Sequence, residues 1–585
     1  MRSFLKIFFA SFLALVVFTG IIFFLLMVII SGLTSKEKTM VASKSILVVD
    51  LSKNFPEQEM TNPIAEFRGD PDGNVPGLYT AVRLIKKAAT DSAIKGIYLL
   101  ANGNANGFAS SEELRNALLN FKKSGKFIIA YGDFFTQKSY YVSTAADKIY
   151  CNPKGGLDWR GFAAQLFFIK NALKKLEIEA QVFYDGKFKS ATEPIREEKM
   201  TEANKIQTND WLGSLYAGLL QKTSETRGVD TALLHQYANQ YTIRTAADAV
   251  NYKLIDALKY DDEVKDEFRH YLKIGKDDRI NFVTLGSYAD AVSLTRYTSD
   301  KIAIIYAEGD IVYGKGDQIQ IGSDDYRALI RKARTDKSVK GIVFRVNSPG
   351  GSSIASEIIW REVALCKKEG KPIVVSMGDY AASGGYYISC DADSIFAQPN
   401  TLTGSIGVFS IVPNMQGFFT HKLGVNFDGV KTSPFADAGT ITRPLTDAEK
   451  RFFQNDVDSI YADFKSRVAE GRKLDPAVVD SIAQGRVWTG QRALALGLVD
   501  RIGNIDDAVA SVARMAKVTD YQLREFPEPK SPFDFLFSNY KKYTRAETLK
   551  SELGEEGWQL YSRIKQVREE FGRPQARLPY DMKIE

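Results

Sequence analysis

The chain has 585 residues, too many for one ordinary domain, so two or three domains are expected. Apolar residues make up 44% and charged residues 25%, as in soluble globular proteins with full cores. The net charge of +6 is spread along the chain without a basic stripe or a known binding motif, which argues against nucleic-acid binding. The three cysteines match no metal-ligand or disulfide spacing and are interpreted as core residues.

The N-terminal segment differs from the rest of the chain. Residues 7–31 carry no charge and are numerous enough to span a bilayer as a helix. The run is longer than the apolar part of a secretory signal, and no small-x-small cleavage site follows it; a cleaved signal peptide stays the alternative. Arg2 and Lys6 favour a cytoplasmic N-terminus, although Lys36 and Lys38 weaken that argument. We therefore predict a signal anchor and spacer over residues 1–44, with the remainder across the membrane.

Two parts of the remaining chain repeat each other. KFIIAYGDFFTQKSYYVSTAADKIYCNP, around Asp133, matches KPIVVSMGDYAASGGYYISCDADSIFAQP, around Asp379, with an offset of 246 residues. Upstream, IKGIYLLANGNANGF matches VKGIVFRVNSPGGSS with a shift of one residue. These matches predict a first repeat over residues 45–295 and a second repeat over 296–520, followed by a C-terminal extension over 521–585.

Each repeat predicts apolar strands that alternate with helices. Ser45–Ser52 has the pattern of a first strand, and Lys301–Val312 is its counterpart. In the second repeat the strand GIVFRVN, the loop SPGGSS, a helix over 354–370 and the strand PIVVSMGD follow, and that last strand is expected to end at Ser376–Met377. Continuous apolar strands between helices indicate an α/β fold with mainly parallel sheets buried on both faces.

The C-terminal extension carries weaker patterns. FPEPKSP, over 526–532, is predicted to be a linker. FDFLFSNYKKY mixes aromatic and basic residues that could pack on a partner or rest on a membrane surface. Leu560, Ile564, Val567 and Phe571 suit one face of a closing helix. No function can be assigned to this extension from its sequence.

The segment MGDYAASGGYYIS has the pattern of a nucleophile turn. Small residues surround Ser383 between a buried strand and a helix, which exposes the hydroxyl and lets a substrate backbone approach. The N–H of Gly384 would point at a developing oxyanion, and Gly350 or Gly351 of NSPGGS could supply a second donor. An ordinary turn stays open for both segments. A phosphate cradle stays open for the glycines, although the P-loop pattern is missing.

A serine nucleophile needs a base, and the three histidines lie in segments without catalytic character. A lysine can serve, because burial of an ammonium group lowers its pKa towards neutrality. Lys189 follows an apolar strand in VFYDGKFKSATEP. Most loop lysines are solvated charges, but Gln137 stands where the first repeat would have Ser383, and the second repeat has no lysine opposite Lys189. These complementary losses predict one composite site.

Together these residues resemble a known family, signal peptide peptidase A in its long, duplicated form. The motifs are SPGG, GDYAASGGYY and NTLTGSIGV in the second repeat and GKFKSATEP in the first, and the resemblance extends to about residue 520. It implies tandem Clp protease/crotonase-like domains built of repeated ββα units. It also implies a Ser–Lys dyad with Ser383 as nucleophile and Lys189 as general base; the K-S-A-x-E-P context selects Lys189 over Lys187. Ser405 would hold the lysine, and its first-repeat counterpart is Trp159.

The same resemblance implies a function and a location. The enzyme would be a serine endopeptidase that hydrolyses hydrophobic peptides, namely signal peptides released in the membrane, with Gly384 and Gly350 or Gly351 as oxyanion hole and with no metal or cofactor. It would be a homotetramer in the bacterial inner membrane, with its catalytic part on the periplasmic side. Two rivals remain, a crotonase-type enzyme acting on acyl-CoA thioesters and a non-catalytic membrane scaffold.

Overall fold

The computed structural model describes residues 2–34, 40–59, 75–317, 319–528 and 574–578, together with Gly554 and Gly557. We refer to residues 45–295 as the first half and to residues 296–528 as the second half. Residues 529–532 of the predicted linker and the predicted closing helix (Leu560, Ile564, Val567, Phe571) lie outside the described residues.

The first helix, α1, covers Arg2–Thr34. Within the described part of the chain, no helix meets the length and apolarity that a membrane crossing requires. The predicted anchor over 7–31 includes residue 23 and residues 25–31, whose side chains lie outside the description.

The other elements alternate along the described chain. The strands are β1 (Ser45–Asp50), β2 (Ile94–Leu100), β3 (Phe127–Phe135), β4 (Lys148–Leu157), β5 (Glu179–Asp185), β6 (Ala257–Leu258), β7 (Asn281–Thr284), β8 (Lys301–Glu308), β9 (Asp310–Val312), β10 (Gln320–Gly322), β11 (Val339–Ser348), β12 (Gly350–Ser352), β13 (Ile373–Ala382), β14 (Ser394–Ala397), β15 (Leu402–Gly404), β16 (Val408–Asn414), β17 (Val487–Thr489), β18 (Arg501–Ile502), β19 (Gln522–Phe526) and β20 (Gln575–Arg577). The helices after α1 are α2 (Leu78–Thr90), α3 (Phe108–Lys122), α4 (Gln137–Ser143), α5 (Lys170–Lys175), α6 (Glu193–Arg196), α7 (Glu202–Arg227), α8 (Thr231–Asn239), α9 (Ala246–Asn251), α10 (Asp261–Leu272), α11 (Leu285–Ala291), α12 (Ser323–Thr335), α13 (Ser353–Lys368), α14 (Gly384–Tyr387), α15 (Asp447–Arg472), α16 (Pro476–Ile482), α17 (Gly490–Ala495) and α18 (Ile505–Met515).

Each half contains its own mainly parallel sheet. The first sheet has the order β6-β4-β3-β2-β1-β7, and every neighbouring pair in it is parallel. The second sheet has the order β17-β15-β13-β11-β8-β19, with β14 and β18 beside β13, and its one antiparallel pair in the described chain is β15 with β17. Their apolar strands are covered by helices on both faces, and each half has its own large core cluster. The predicted α/β fold with mainly parallel sheets is confirmed.

A third sheet joins the two halves. Its order is β10-β9-β12-β20-β16-β5. In it, β5 of the first half pairs antiparallel with β16 of the second half along seven residue pairs, from Val408 opposite Asp185 to Asn414 opposite Glu179. This pairing places the segment just after β5 against the second half.

Two predicted elements of the second half differ from the structure. The predicted strand Lys301–Val312 is divided at Gly309, whose φ of +98° separates β8 from β9. The predicted end of a strand at Ser376–Met377 is wrong, because β13 continues to Ala382. After a register shift, β13 leaves β14 and pairs with β15 instead, so that its backbone groups stay hydrogen-bonded as far as the turn that follows.

Candidate active site

Ser383 lies at the turn between β13 and α14. Its backbone has a φ of +53° and a ψ of −116°, a conformation that is costly for any residue with a Cβ. The turn is fixed by two backbone hydrogen bonds, from Ser383 N to Gly404 O at 2.8 Å and from Tyr387 N to Ser383 O at 2.8 Å. The turn lies between a strand and a helix, as the sequence pattern predicted, but the expected exposure of the hydroxyl is wrong, because Ser383 is buried.

Lys189 comes from the first half, four residues after β5. The chain that carries it is docked on the second half by a hydrogen bond from Phe188 N to Gln484 O at 2.7 Å. Gln207 of α7 adds hydrogen bonds to Phe188 O at 3.0 Å and to Ser190 Oγ at 2.8 Å. Lys187, two residues earlier, is exposed. The pairing of β5 with β16 thus brings this segment against the second half, where the Lys189 side chain is buried and the Lys187 side chain stays exposed.

The side chains of Lys189 and Ser383 meet. Lys189 Nζ lies 2.8 Å from Ser383 Oγ, and both residues are buried. Nζ also lies 3.2 Å from Ser405 O and 3.2 Å from Ser405 Oγ. The structure therefore brings together the serine and the lysine that stand 194 positions apart in the chain, along with Ser405.

The ionisation of Lys189 follows from this environment. Burial lowers the pKa of the Lys189 ammonium well below its ordinary value, and no carboxylate among the described residues offsets that effect. The groups around Nζ are two hydroxyls and a carbonyl, which carry no net charge. A neutral amine beside a serine hydroxyl can accept its proton.

The predicted glycines lie around the same turn. Gly384 is the first residue of α14, while Gly350 and Gly351 belong to β12 and have φ angles of +106° and +154°. A Cβ on Gly350 would lie 2.8 Å from Gly384 N, and a Cβ on Gly384 would lie 3.1 Å from Gly351 N. Side chains at these positions would fill the space between the three backbones, so the close approach depends on glycine.

At the corresponding turn of the first half, the side chains of Gln137 and Trp159 take the places of Ser383 and Ser405. Gln137 Oε1 accepts hydrogen bonds from Gly161 N at 2.9 Å and from Arg160 N at 3.2 Å, and its Nε2 donates to Gly161 O at 2.9 Å. Trp159, opposite Ser405 in the alignment, is buried and donates from Nε1 to Leu234 O at 2.9 Å. The hydrogen bonds of these two side chains therefore fix the first-half turn.

A buried ion-pair cluster near the site was not predicted from the sequence. Arg345 of β11 lies 2.7 Å from Glu57 Oε2 and 2.8 Å from Glu113 Oε1, and all three side chains are at most 2% exposed. Burial raises the pKa of Glu113 to about 7, although Arg345 opposes that shift. Arg345 also donates to Met377 O at 3.1 Å in β13. The cluster therefore links two first-half carboxylates to the strand that leads to Ser383.

Asp379 forms a second link that was not predicted. Its Oδ1 accepts hydrogen bonds from Ala109 N at 2.8 Å and Ser110 N at 3.1 Å, and its Oδ2 accepts from Ser110 Oγ at 2.6 Å. It thus caps the first-half helix α3. The alignment of Asp133 with Asp379 was visible in the sequence, but Asp133 instead accepts from Asn152 Nδ2 at 2.9 Å within its own half.

The chain is similar to known peptidases along most of its length. The model of peptidase family S49 matches the chain twice, over residues 120–275 and 366–519. Protease 4 of Haemophilus influenzae is 32% identical over 558 residues, 92% of this chain and 90% of that one. Protease 4 of Salmonella typhi is 37% identical over 477 residues, which cover 80% of this chain and 77% of that protein.

A plant relative matches a shorter part of the chain. The chloroplastic serine protease SPPA of Arabidopsis thaliana is 34% identical over 442 residues, 74% of this chain and 64% of that protein. The resemblance to the long, duplicated form of signal peptide peptidase A is confirmed by the two family matches and by the extent of the relatives. The chain belongs to peptidase family S49, and it is a serine peptidase with peptides as its substrates.

Proposed function

We propose that this peptidase hydrolyses peptide bonds with a dyad of Ser383 and Lys189. The observation that carries the proposal is the 2.8 Å distance from Lys189 Nζ to Ser383 Oγ in a buried site. Lysine must be neutral to act as a base, and the lowered pKa of Lys189 supports that state.

The reaction proceeds in two parts. Lys189 takes the proton of Ser383 as Oγ attacks the scissile carbonyl, and the N–H groups of Gly384 and of Gly351 or Gly350 stabilise the oxyanion. The Lys189 ammonium then gives its proton to the leaving amine, and an acyl ester on Ser383 remains. Water hydrolyses the ester by the same proton route. Ser405, with its hydroxyl 3.2 Å from Nζ, keeps the lysine amine directed at Ser383.

We also propose a domain organisation, a substrate and a cellular location for the enzyme. Residues 45–295 and 296–520 are two Clp protease/crotonase-like domains, the first supplying the lysine and the second the serine. The uncharged run 7–31 anchors the enzyme in the bacterial inner membrane with its catalytic part in the periplasm. There it cleaves hydrophobic peptides, in particular released signal peptides, as a homotetramer.

The first experiment tests the dyad with a matched control. Ser383→Ala and Lys189→Ala are each expected to abolish hydrolysis of a fluorogenic peptide, whereas Lys187→Ala, an exposed lysine two residues away, should leave kcat/KM within about twofold. Circular dichroism checks that all three variants fold. Turnover retained by a folded Ser383→Ala or Lys189→Ala variant would refute the dyad.

A pH profile tests the state of the base. The basic form of Lys189 must be present, so kcat/KM should rise with pH through the lowered pKa of the free enzyme and level off below the ordinary lysine pKa of about 10.4. A rise that begins only above about pH 10 would mean that Lys189 is not a buried base.

A further inference from the structure

Gln207 of α7 connects the segment around Lys189 to the second half. Its side chain is buried, and its Nε2 donates to Phe188 O at 3.0 Å and to Ser190 Oγ at 2.8 Å, on the two residues that flank Lys189. Its Oε1 accepts a hydrogen bond from Val487 N of β17 at 3.2 Å. One side-chain amide of the first half thus holds both neighbours of the lysine and a strand of the second half.

The peptide group that Gln207 contacts in β17 also holds Ser405. This group joins Arg486 to Val487. Its N–H donates to Gln207 Oε1, while its carbonyl oxygen accepts from Ser405 N at 2.7 Å. Ser405 O and Oγ in turn each lie 3.2 Å from Lys189 Nζ. The contacts therefore lead from the backbone beside Lys189 through β17 and back to the amine at the end of its side chain.

The same strand pair also holds the backbone of the nucleophile. Val487 of β17 lies opposite Gly404 of β15, and Gly404 O accepts a hydrogen bond from Ser383 N at 2.8 Å. The distance between α7 and β17 therefore affects the distance between Lys189 Nζ and Ser383 Oγ. Displacement of a reacting group by about 1 Å can slow a reaction about 100-fold.

A buried network fixes the amide of Gln207 on α7. Gln207 Nε2 lies 3.3 Å from Asn204 Oδ1, and Asn204 Nδ2 donates to Glu193 Oε2 at 2.8 Å. Glu193 Oε1 accepts from the hydroxyl of Thr201, the residue that caps α7, at 2.5 Å. Asn204 and Glu193 are 0% and 2% exposed. Because Glu193 follows Lys189 by four residues, the lysine segment and the helix that carries Gln207 are held together.

The charged groups on the elements packed around this segment are paired with one another. Arg486 Nη2 lies 3.3 Å from Asp210 Oδ2 of α7, and Arg196 Nη2 lies 3.8 Å from Glu193 Oε1. The amide that holds the segment carries no net charge. It therefore positions the lysine without a countercharge that would stabilise the ammonium, and burial alone lowers the pKa of Lys189.

We propose that Gln207 is a positioning residue for the dyad, which holds the Lys189 segment against β17 so that the amine stays beside Ser383 and away from water. This inference rests on the proposed dyad. Without the amide, the segment would separate from β17 and the proton transfer would lose its alignment. Water would also reach Nζ and stabilise the ammonium, so the pKa of Lys189 would rise towards its ordinary value.

Kinetics of Gln207→Met on a fluorogenic peptide test the proposal, because methionine has a similar length but no amide. We expect kcat to fall about 10- to 100-fold while KM stays within about twofold, since both polar atoms of the wild-type side chain bond within the protein. The pH at which kcat/KM is half-maximal should rise by about one unit. Gln221→Met, at an exposed glutamine of the same helix, should change none of these values.

Two further variants separate the roles of the two ends of the amide. Gln207→Glu keeps an acceptor for Val487 N, removes the donors and adds a negative charge near Lys189, so it should raise the pH midpoint at least as far as Gln207→Met. Ser190→Ala removes a single acceptor of the amide and leaves Gln207 in place. It should lower kcat about two- to tenfold and move the pH midpoint in the same direction. Circular dichroism checks each fold, and Ser190→Ala decides the question if Gln207→Met does not fold.

The outcomes distinguish this inference from the proposed function. If wild-type activity rises only above about pH 10, the dyad is wrong and the inference fails with it. If the wild-type midpoint lies well below that pH but the folded Gln207 and Ser190 variants keep it, the dyad stands and Gln207 has no positioning role. A lower kcat with an unmoved midpoint would show a structural role only. A raised KM with an unchanged kcat would also overturn the inference, because it would place Gln207 against the substrate.

Discussion

The turn at Ser383 and the turn at Gln137 are copies of one structural unit that have diverged in backbone as well as in side chain. At the first, the serine itself occupies the position before a short helix, with a φ of +53°. At the second, Thr136 occupies that position with a φ of −72° and accepts a hydrogen bond from Ser139 N at 3.1 Å. The first half therefore has an ordinary capped helix where the second half has a strained nucleophile turn.

The surroundings of the two turns differ in the same direction. Around Ser383, the glycines of β12 and α14 leave space that a peptide group fills. Around Gln137, the amide side chain and Trp159 fill the corresponding space themselves. The first half is stabilised at its turn by its own side chains. The second half instead keeps a strained residue, Ser383, and leaves room for a peptide group beside it.

Exchanging the residues at the two turns gives the largest expected effect. Ser383→Gln should lower kcat/KM at least roughly 10³-fold, because the nucleophile is lost. Gln137→Ser should change kcat/KM by no more than about twofold, because the Lys189 amine lies beside Ser383 in the second half. Rates on a fluorogenic peptide measure both. If the double variant Ser383→Ala/Gln137→Ser were more active than Ser383→Ala alone, the first-half turn could also act as a nucleophile turn, and the proposed difference between the halves would be wrong.

The ion-pair cluster around Arg345 allows the two halves to be compared in their contributions to the free energy of unfolding. Arg345 corresponds to Leu100 of the first half, in the alignment shifted by one residue. Arg345→Met should lower the free energy of unfolding by roughly 3–5 kcal/mol, because Glu57 and Glu113 would stay buried without their cation. Leu100→Met, a volume-conserving change at the matching strand position, should cost less than about 1.5 kcal/mol. Calorimetric unfolding of the two variants measures the difference, and equal losses would show that the cluster adds nothing to stability.

Much of the second half was predictable because its signals are local. Continuous apolar runs give the parallel strands, and the glycines and small residues around Ser383 give the turn. A comparison within the chain pointed to Lys189, since each half lacks what the other has, and the resemblance to signal peptide peptidase A selected it over Lys187. These features need no knowledge of how distant segments pair.

The features that the sequence did not reveal depend on such pairing. Nothing in the sequence of β5 indicates that it leaves its own half to pair with β16. β20 is three residues long and follows residues 529–573, of which the structure describes Gly554 and Gly557 alone. Glu57 lies in a segment without periodic pattern, so nothing identifies it as the partner of Arg345. The end of β13 was misplaced because Gly378 and Asp379 have the composition of a turn, while a register shift lets the strand continue.

The smallest effect concerns the stability cost of the buried base. At neutral pH an unfolded chain holds Lys189 protonated, whereas burial in the folded chain disfavours the charge. The unfolded state therefore binds more protons, and wild-type stability should rise with pH from the lowered pKa of Lys189 up to the ordinary lysine pKa of about 10.4. Lys189→Met removes this penalty and should raise the free energy of unfolding at neutral pH by roughly 0.5–2 kcal/mol. Lys187→Met, on the exposed neighbour, should change it by less than about 0.5 kcal/mol. Urea unfolding at several pH values measures the gap between Lys189→Met and wild type, which should narrow as the pH approaches 10; a gap that widened with pH would mean that Lys189 is held as an ammonium.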